Sequence, residues 1–362
     1  MKHMERIILF GTGVFGRRTY EKLKSDGIVP ICFVDNDRSK WGSYIDNVEI
    51  RNPGELVHIE FDDVVICVND PIYYNIRCQL IDELDVPEQK IRHWTYRQRI
   101  DFLNHYKNSD HKDPIIDRII DYVEKHDRLS AFNATFADKY SDNISCFLDD
   151  SSGLFYTVYN GKKLFLCRKF KSKDQAEEYF RSLMIEQDPA SPHRYMDDSF
   201  GFDGGCVLDA GAAEGNFALE IVERAEKVLL IEADPTWNEA LMKTFEPWKD
   251  KVTIINKYLS DVDGHNSVSI DTLAAEQQID FIKMDIEGAE PDALKGGERY
   301  LSKADHVKLA ICSYHNLEDE YKIRMILEPL GYEVVATDGH MVFPDNVNQP
   351  PRLVRGVLRA SR

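Results

Sequence analysis

The chain has 362 residues, which is enough for two domains that each bury a core of their own. Its formal net charge of −18 argues against a nucleic acid or an anionic membrane as the main partner, because both require a basic face. No signal peptide and no apolar run long enough to span a bilayer are visible, and the 7 Cys show no paired spacing, so we expect a cytoplasmic protein with reduced thiols.

Residues 1–95 have the pattern of a small Rossmann-like α/β domain. A buried strand at residues 5–10 leads into a complete GxGxxG that opens a helix, and a second strand ends at Asp35. Because this loop carries no acid and two arginines follow it, an anion such as a pyrophosphate is tolerated there. The alternative is a Rossmann-like fold kept for packing or dimerisation. The predicted contacts to a nucleotide or nucleotide-sugar are Gly11, Gly13, Val14, Phe15, Gly16, Asp35 and Asn69.

Residues 96–180 are predicted to form a connecting region. Residues 114–123 have helical periodicity with Pro at the helix start. Residues 154–167 predict a β-hairpin, because Asn160-Gly161 accepts the positive φ angles of its turn. A helix with Ser172 as N-cap follows.

A polar and aromatic segment lies just ahead of the next strand. In a doubly wound fold a segment that enters there reaches over the ligand cleft. We therefore expect His193, Arg194 or Tyr195 to line a donor or acceptor pocket. The alternative is a plain surface loop.

Residues 206–217 form the central motif, a strand, a glycine-bearing turn and the start of a helix. A second apolar run ends at Glu232 about 20 residues on, where such folds hold a ribose diol. The alternative is a strand–turn–helix that binds no ligand. The predicted cofactor contacts of this unit are Asp209, Gly211, Ala212, Glu214, Gly215, Asn216, Glu232 and Ala233.

The charge of this loop indicates the ligand. A dinucleotide places its pyrophosphate at the helix N-terminus, and the carboxylates of Asp209 and Glu214 would repel it. The same two carboxylates would attract a nucleoside that carries cationic groups. S-adenosylmethionine has a ribose, an ammonium and a sulfonium but no phosphate, so it is the predicted cofactor.

A third strand at residues 252–256 leads to the loop at Ser260 and Asp261. In this architecture the loop lies near the purine, where an aspartate accepts a hydrogen bond from the exocyclic amine. Both residues are therefore added to the predicted cofactor contacts.

Acidic side chains crowd the turn after the strand at residues 279–284. Asp285 or Glu287 could act as the general base for a hydroxyl, while Glu290 is expected to cap and solvate the next helix. Their proximity would raise at least one pKa or recruit a cation. Asp285 is also a predicted cofactor contact. His315 ends the fifth strand at the same edge and is the third candidate base. The spacing of these residues is not a metal motif, so no metal ligand is predicted.

The C-terminus predicts two strands, at residues 332–336 and 353–360, with no helix between them. Such strands pair antiparallel. A mostly parallel sheet closed by an antiparallel hairpin is typical of class I methyltransferases.

About residues 180–362 resemble the FkbM family of S-adenosylmethionine-dependent methyltransferases. The motifs that carry the resemblance are residues 209–215, residues 231–235, residues 282–290 and Tyr314-His315 with Glu318-Asp319. The resemblance implies O-methylation, often of a sugar or natural-product hydroxyl, with the donor held by Asp209, Gly211 and Glu232. Ala213 departs from the family, which often has Asn there. The N-terminal unit resembles small nucleotide-binding domains of enzymes that assemble surface glycans.

The sequence therefore predicts an α/β protein with a Rossmann-like domain (1–95), a connecting region (96–180) and a doubly wound methyltransferase domain (181–362). The expected acceptor is a small molecule such as a nucleotide-linked sugar. Two alternatives stay open: an NAD(P)-dependent oxidoreductase that uses the N-terminal GxGxxG, and a non-catalytic nucleotide-sugar-binding scaffold. The acceptor's identity and the oligomeric state are left open.

Overall fold

The computed structural model describes residues 5–69, 72–140, 144–343 and 349–362, so residues 1–4 of the predicted first domain lie outside the described residues. The chain divides into two compact units, residues 1–135 with 342–353 and residues 136–341 with 354–362. Residues 96–180, which were expected to connect two domains, are thus shared between the units.

The first unit contains a sheet with the strand order β3-β4-β2-β1-β5-β6, in which β3–β4 is antiparallel and the other neighbours are parallel. Its helix α4 begins with a Pro, as predicted, and the Asp113 carboxylate caps it by accepting from Ile115 N at 2.9 Å. The strands are β1 (Ile7–Phe10), β2 (Cys32–Val34), β3 (Tyr44–Ile45), β4 (Val48–Arg51), β5 (Asp63–Ile66) and β6 (Ile91–His93), and the helices are α1 (Val14–Ser25), α2 (Ile72–Cys78), α3 (Tyr96–Tyr106) and α4 (Pro114–Lys125).

The second unit contains the predicted hairpin, whose turn residues Asn160 and Gly161 have φ of 49° and 76°. Ser172 caps the next helix, as predicted, by accepting from Gln175 N. In the described residues from here to the C-terminus, the strands are β7 (Phe147–Leu148), β8 (Phe155–Tyr159), β9 (Lys162–Phe165), β10 (Cys206–Ala210), β11 (Lys227–Ile231), β12 (Val252–Ile255), β13 (Tyr258–Leu259), β14 (Ser267–Val268), β15 (Phe281–Met284), β16 (Lys308–Cys312), β17 (Glu333–Ala336), β18 (Met341–Phe343), β19 (Arg352–Val354) and β20 (Val357–Ser361). The helices are α5 (Lys173–Glu186), α6 (Asn216–Ile221), α7 (Asn238–Thr244), α8 (Ile270–Glu276), α9 (Glu290–Lys295), α10 (Glu298–Leu301) and α11 (Asp319–Leu327).

The main sheet of the second unit has the order β12-β11-β10-β15-β16-β20-β17. Neighbours from β12 to β16 are parallel, and β20 lies antiparallel between β16 and β17. The predicted fold class, a mostly parallel α/β sheet with an antiparallel C-terminal pair, is confirmed. The strand order reverses between β10 and β15, since β11 and β12 are added on one side of β10 whereas β15 and β16 are added on the other, and this switch point is where such sheets bind ligands.

Both faces of this sheet are covered. Along β10, Val207 packs into one apolar core with α6, while Leu208 packs into the opposite core with α8, α9 and α11. Successive side chains of a strand point to opposite faces, so a central strand of a doubly wound sheet must be apolar on both. Asp209 and Lys283 are exceptions to this rule within β10 and β15.

None of the described helices is both long enough and apolar enough to cross a membrane.

Replacement of Gly211 by Ala is expected to destabilise the second unit strongly. Gly211 has a φ of +72°, and an added Cβ would lie 1.7 Å from the Asp285 carbonyl oxygen. Strain and clash together should lower the free energy of unfolding by about 3 kcal/mol or more, measured by urea denaturation.

Gly161→Ala is the matched control, because Gly161 has a similar φ of +76° but nothing within 4 Å of an added Cβ. It should cost only about 1–2 kcal/mol. Equal losses in the two variants would contradict the close packing of Gly211 against Asp285.

Candidate functional site

A cavity of about 740 Å³ lies at the carboxyl ends of β10, β11 and β15 in the second unit. This is the predicted edge of the sheet, and the volume is within the usual range for small-molecule sites. The cavity is lined by Tyr179, Leu183, Glu186, Tyr195, Gly211, Ala212, Ala213, Glu214, Asn216, Ile231, Glu232, Ala233, Asp234, Pro235, Trp237, Lys257, Tyr258, Leu259, Lys283, Asp285, Ile286, Glu287, Ala289 and Tyr314.

The loop after β10 forms one wall. Gly211, Ala212, Glu214 and Asn216 line the cavity, as the sequence predicted. Gly215 has another role: it is the N-cap of α6, with a φ of +87°, and an added Cβ would lie 2.7 Å from Phe245. Gly215 therefore allows the helix to begin close to Phe245.

Glu232 closes this loop from the neighbouring strand. Its Oε2 accepts a hydrogen bond from Ala213 N at 2.8 Å, and its Oε1 accepts from Asp234 N at 2.7 Å. Glu232 and Ala233 both line the cavity, at the position predicted for a ribose. The second lone pairs of the carboxylate are left to accept from a ligand's hydroxyl groups.

Asp209 does not lie where the sequence predicted. Its side chain is fully buried beneath the loop, and Oδ1 is 3.2 Å from Lys283 Nζ. The two residues face each other in the register of β10 and β15, so the ion pair crosses adjacent strands. Lys283 neutralises Asp209, and the predicted direct contact of Asp209 with a cofactor is replaced by a supporting role under the loop.

Lys283 also holds the loop backbone, since its Nζ donates to Gly211 O at 2.7 Å. Burial works against the charged amine, but the carboxylates of Asp209 and Asp285 raise the pKa of Lys283 above its usual value. The side chain is therefore a cation at the floor of the cavity.

Glu214 contributes a buried carboxyl group to the same wall. It accepts a hydrogen bond from the Tyr179 hydroxyl, and burial raises its pKa. Burial, together with the neighbouring Glu214 charge, also raises the pKa of Tyr179, so the phenol stays a donor.

Asp285 is at the centre of a hydrogen-bond network on the opposite side. The hydroxyl of Tyr195 donates to Oδ2 at 2.9 Å, and that of Tyr314 donates to Oδ1 at 3.3 Å. Burial alone would raise the pKa of Asp285, but the charge of Lys283 and the nearby histidines lower it. The expected rise in a carboxyl pKa at this turn is thus not found at Asp285, which is an ionised hydrogen-bond acceptor.

Only Tyr195 of the predicted loop residues reaches the cavity. His193 is buried behind it, with Nε2 3.1 Å from the Tyr314 hydroxyl, and burial lowers its pKa to about 4. Arg194 lies 3.4 Å from Glu220 Oε1 and also donates to Gln187 O. His193 supports the network as a neutral side chain, and Arg194 fastens the segment to its neighbours.

His315, Glu287 and Asp285 come together as predicted. His315 Nε2 is 3.4 Å from Asp285 Oδ1 and 3.7 Å from Glu287 Oε2, and Nδ1 is 3.1 Å from Glu290 Oε1. Burial opposes the charged imidazole, but the contact with Glu290 and the other carboxylates raise the pKa of His315. His315 lies behind the cavity wall, whereas the Glu287 side chain is 94% exposed at its mouth.

Glu290 differs from its predicted role. Its side chain is fully buried, and its Oε1 accepts from Ile286 N at 2.8 Å, so it holds the turn after β15 instead of solvating a helix. Single ligand atoms of Asp285, Glu290 and His315 lie within 4.8 Å of one another. The contacts within this cluster account for its arrangement, and the prediction that no metal binds here stays a prediction.

Ser260 and Asp261 do not line the cavity; Lys257, Tyr258 and Leu259 do. The reason is that Tyr258 and Leu259 form β13, which pairs with β14 and carries the next two residues away from the sheet edge. There Ser260 O packs against Gly296, where an added Cβ would lie 2.2 Å away. The predicted contact of Ser260 and Asp261 with a cofactor therefore does not agree with their positions, and a purine contact in this segment stays a prediction.

Helix α5 supplies residues that the sequence analysis missed. Tyr179, Leu183 and Glu186 line the cavity at spacings of four and three, so they lie on one face of the helix. That spacing is a signal for one helical face, but not for what the face covers. Trp237, shortly after Glu232, was also missed.

In the first unit, the backbone of the GxGxxG loop requires glycine at two positions, Gly11 and Gly16. Gly11 has a φ of +105°, and an added Cβ on Gly16 would lie 2.1 Å from Gly11 O. Gly13, the N-cap of α1, has nothing within 4 Å of an added Cβ. Val14 is 79% exposed, and Phe15 packs on Trp94 with ring centroids 4.6 Å apart.

The carboxylate of Asp35 is already hydrogen-bonded to residues of the first unit. Its Oδ2 accepts from Thr12 N at 3.1 Å and is 3.0 Å from Lys40 Nζ, while Oδ1 accepts from Asp37 N at 2.9 Å. Asn69 O accepts from Tyr73 N near the start of α2. Asp35 fixes the loop, and the nucleotide contacts predicted for this unit stay predictions.

Comparisons with known proteins identify two segments. Residues 261–334 match the family model described as the methyltransferase FkbM domain, and residues 3–92 match the model described as C2185-like, N-terminal. No curated protein gives a significant match.

Several solved structures are similar to the chain. Methyltransferase FkbM from Methylobacillus flagellatus KT is 16% identical, with 99% of this chain and 90% of that chain covered and a TM-score of 0.48. Precorrin-6y C5,15-methyltransferase from Geobacter metallireducens GS-15 is 12% identical, with 54% and 90% covered and a TM-score of 0.33. UDP-D-quinovosamine 4-dehydrogenase from Vibrio fischeri is 18% identical, with 25% and 76% covered and a TM-score of 0.21.

The FkbM match confirms the resemblance that the sequence motifs predicted. The matched residues include Asp285, Glu287 and His315. The match supports methyltransferase activity for the second unit.

Replacement of Lys283 by Met is expected to leave the Asp209 carboxylate buried without its counter-charge. Breaking a buried pair from one side costs about 3–5 kcal/mol, so the free energy of unfolding should fall by about that amount in urea denaturation. Adding Asp209→Asn should recover part of the loss.

Lys295→Met is the control, because Lys295 forms a solvent-exposed pair with Asp292 at 2.7 Å. It should change stability by less than about 1 kcal/mol. If Lys283→Met were equally mild, the ion pair would not be what supports the loop.

Proposed function

We propose that the second unit transfers a methyl group from S-adenosylmethionine to a hydroxyl of a sugar, a glycan precursor or a related small molecule. The observation that carries the proposal is the charge of the cavity, in a unit that matches the FkbM domain. Acidic side chains outnumber basic ones in its lining. The acidic residues are Glu186, Glu214, Glu232, Asp234, Asp285 and Glu287, and the basic ones are Lys257 and Lys283.

The residues present fit this donor. An acidic cavity attracts an ammonium and a sulfonium, and it repels the pyrophosphate of a dinucleotide. Glu232 is proposed to hold the two ribose hydroxyls, since its carboxylate lines the cavity and is fixed by two backbone N–H groups. Tyr179 and Trp237, with ring centroids 6.1 Å apart, offer aromatic faces to the base or to a cationic group.

Asp285 is proposed to orient the acceptor. The donor supplies an electrophilic methyl group, and the protein must hold the acceptor oxygen in line with it. Asp285 is ionised and fixed by Tyr195 and Tyr314, so it can accept a hydrogen bond from the acceptor hydroxyl. Glu287 and His315 are the other predicted catalytic residues. They are proposed to influence the charge of Asp285, Glu287 from the mouth of the cavity and His315 from behind its wall.

The charge of the cavity also restricts the acceptor. A phosphate beside these carboxylates would be repelled, so the reacting part of the acceptor is proposed to be uncharged. Any nucleotide part of the acceptor has to bind outside this cavity. Its binding at Gly11–Gly16 and the cytoplasmic location of the protein stay predictions.

Titration calorimetry with S-adenosylmethionine tests the donor site. The wild-type protein should bind it, and Glu232→Ala should weaken binding by roughly 10- to 100-fold, because hydrogen bonds to a charged group are lost. Glu239→Ala, which removes an exposed partner of Arg168 outside the cavity lining, should leave the affinity unchanged.

A parallel titration with NAD⁺ addresses the oxidoreductase alternative. We expect no binding of NAD⁺ in the cavity of the second unit. Binding of NAD⁺ with no binding of S-adenosylmethionine would refute the methyltransferase proposal.

A further inference from the structure

The acidic side chains of the cavity differ in what holds them. Glu232 accepts from two backbone N–H groups, Asp285 from two tyrosine hydroxyls and Glu214 from the Tyr179 hydroxyl. Each of these three carboxylates has its position fixed by donors from the protein. Such groups are suited to binding and orienting a ligand.

The two acids at the rim are also paired. Asp234 forms an ion pair with Lys169, and it accepts from Thr236 N at 3.0 Å. The exposed Glu287 lies 3.7 Å from His315 Nε2. Neither is held in a desolvated position.

Glu186 is the exception. In the ranges that the structure describes, no hydrogen bond and no ion pair reaches its carboxylate, although it lines the cavity. It is the last residue of α5, and no basic residue lies in the last turn of that helix. The helix C-terminus carries partial negative charge, which disfavours a carboxylate there. The fold therefore places an acid in the cavity and gives it no partner from the part of the chain that the structure describes.

The surroundings of Glu186 favour its neutral form. Burial raises the pKa of Glu186 to about 8, the charges of Asp285 and Glu214 act in the same direction, and Lys283 opposes them. At neutral pH this rise favours the protonated form of the carboxyl group in the empty cavity. The ionisable groups that face it are Tyr179, Tyr195, Glu214, Lys283, Asp285 and Tyr314.

A cation bound in the cavity favours the ionised form of Glu186 instead of the neutral form. A positive charge within a few ångströms stabilises a carboxylate, most strongly where water is excluded. Asp285 is less suited to accept a proton, because Lys283 and the tyrosine hydroxyls already stabilise its anion. A proton acceptor works best when its pKa is near the working pH.

We propose that Glu186 is a catalytic proton acceptor that the methyl donor itself activates: it is protonated in the empty cavity, ionises when the cationic donor binds, and takes the proton of the acceptor hydroxyl. This inference rests on the proposed function. The acceptor oxygen forms its bond to the methyl carbon, the carbon–sulfur bond breaks with its electron pair on sulfur, and the hydroxyl proton passes to the Glu186 carboxylate. The sulfur is then neutral, and Glu186 has returned to its starting state.

The proton that leaves Glu186 on donor binding can be counted without knowing the acceptor. Calorimetric titrations in two buffers of different ionisation enthalpy, at about pH 7, give the number of protons released. Wild-type protein should release close to one proton more with S-adenosylmethionine than with S-adenosylhomocysteine. The two ligands share the amino acid and nucleoside groups, so the difference reports the sulfonium charge.

Glu186→Gln should abolish this difference, weaken the binding of S-adenosylmethionine by roughly tenfold and leave the affinity for S-adenosylhomocysteine within about fivefold of the wild type, because a donor that ionises Glu186 at about pH 7 must bind the carboxylate form more tightly than the neutral form. Glu178→Gln is the matched control, because Glu178 lies on the same helix and pairs with Arg181 outside the cavity lining. It should behave as the wild type does.

Three results would overturn the proposal. An unchanged proton difference in Glu186→Gln would show that another group ionises. An equal loss of affinity for S-adenosylmethionine and for S-adenosylhomocysteine in that variant would make Glu186 a ligand for the ammonium group that both share instead. No binding of S-adenosylmethionine to the wild type would overturn the proposed function as well, which distinguishes that failure from the first two.

A second measurement needs no ligand. The folded-state pKa of Glu186, about 8, lies above the ordinary glutamate value of 4.5, so the folded state binds the proton more tightly. Its contribution to stability is complete below about pH 4.5 and is lost as the pH rises through about 8. Glu186→Gln should therefore match the wild-type Tm at about pH 5 and exceed it by several degrees at about pH 9. The same Tm difference at both pH values would contradict the proposal.

Discussion

The buried ammonium group of Lys283 is the charge on which the rest of the site depends. It crosses from β15 to β10 to neutralise Asp209, it donates to the backbone of Gly211, and it lowers the pKa of Asp285. Without it, the loop after β10 would rest on an uncompensated buried carboxylate, whose cost is several kcal/mol. The same ammonium group thus stabilises the pairing of β10 with β15, holds the loop after β10 and keeps Asp285 ionised.

The distribution of the remaining charge explains how the cavity can serve a cationic ligand. Glu232 and Asp285 are fixed by donors from the protein, so their positions do not depend on a ligand. Glu186 has no such donor among the described residues, and burial, together with the charges of Asp285 and Glu214, raises its pKa. In the proposed function, the cavity combines carboxylates that are held ready to bind with one that responds to binding. This division needs no conformational change, because it follows from hydrogen bonds, burial and Coulomb interactions alone.

The sequence predicted most of the fold because strands, turns and caps leave local patterns, such as the apolar run and glycine turn at residues 206–217. Glu232 and Asp285, which the sequence predicted as site residues, both line the cavity, because the carboxyl ends of parallel strands meet at one edge. The sequence misplaced Asp209 because neutralisation by a residue on another strand has no local pattern. It missed Glu186 because an acid on an amphipathic helix looks solvent-exposed until the packing of that helix is known. The long-range pairing of side chains was the part that could not be predicted.

A crystal structure of the protein with S-adenosylhomocysteine would test the central claim most directly. The account predicts that the ligand occupies the cavity of the second unit, with its ribose hydroxyls within hydrogen-bond distance of Glu232. It also predicts that the sulfur faces the side of the cavity that contains Glu186 and Asp285. Occupation of the Gly11–Gly16 loop instead, or a ligand with its ribose away from Glu232, would contradict the account.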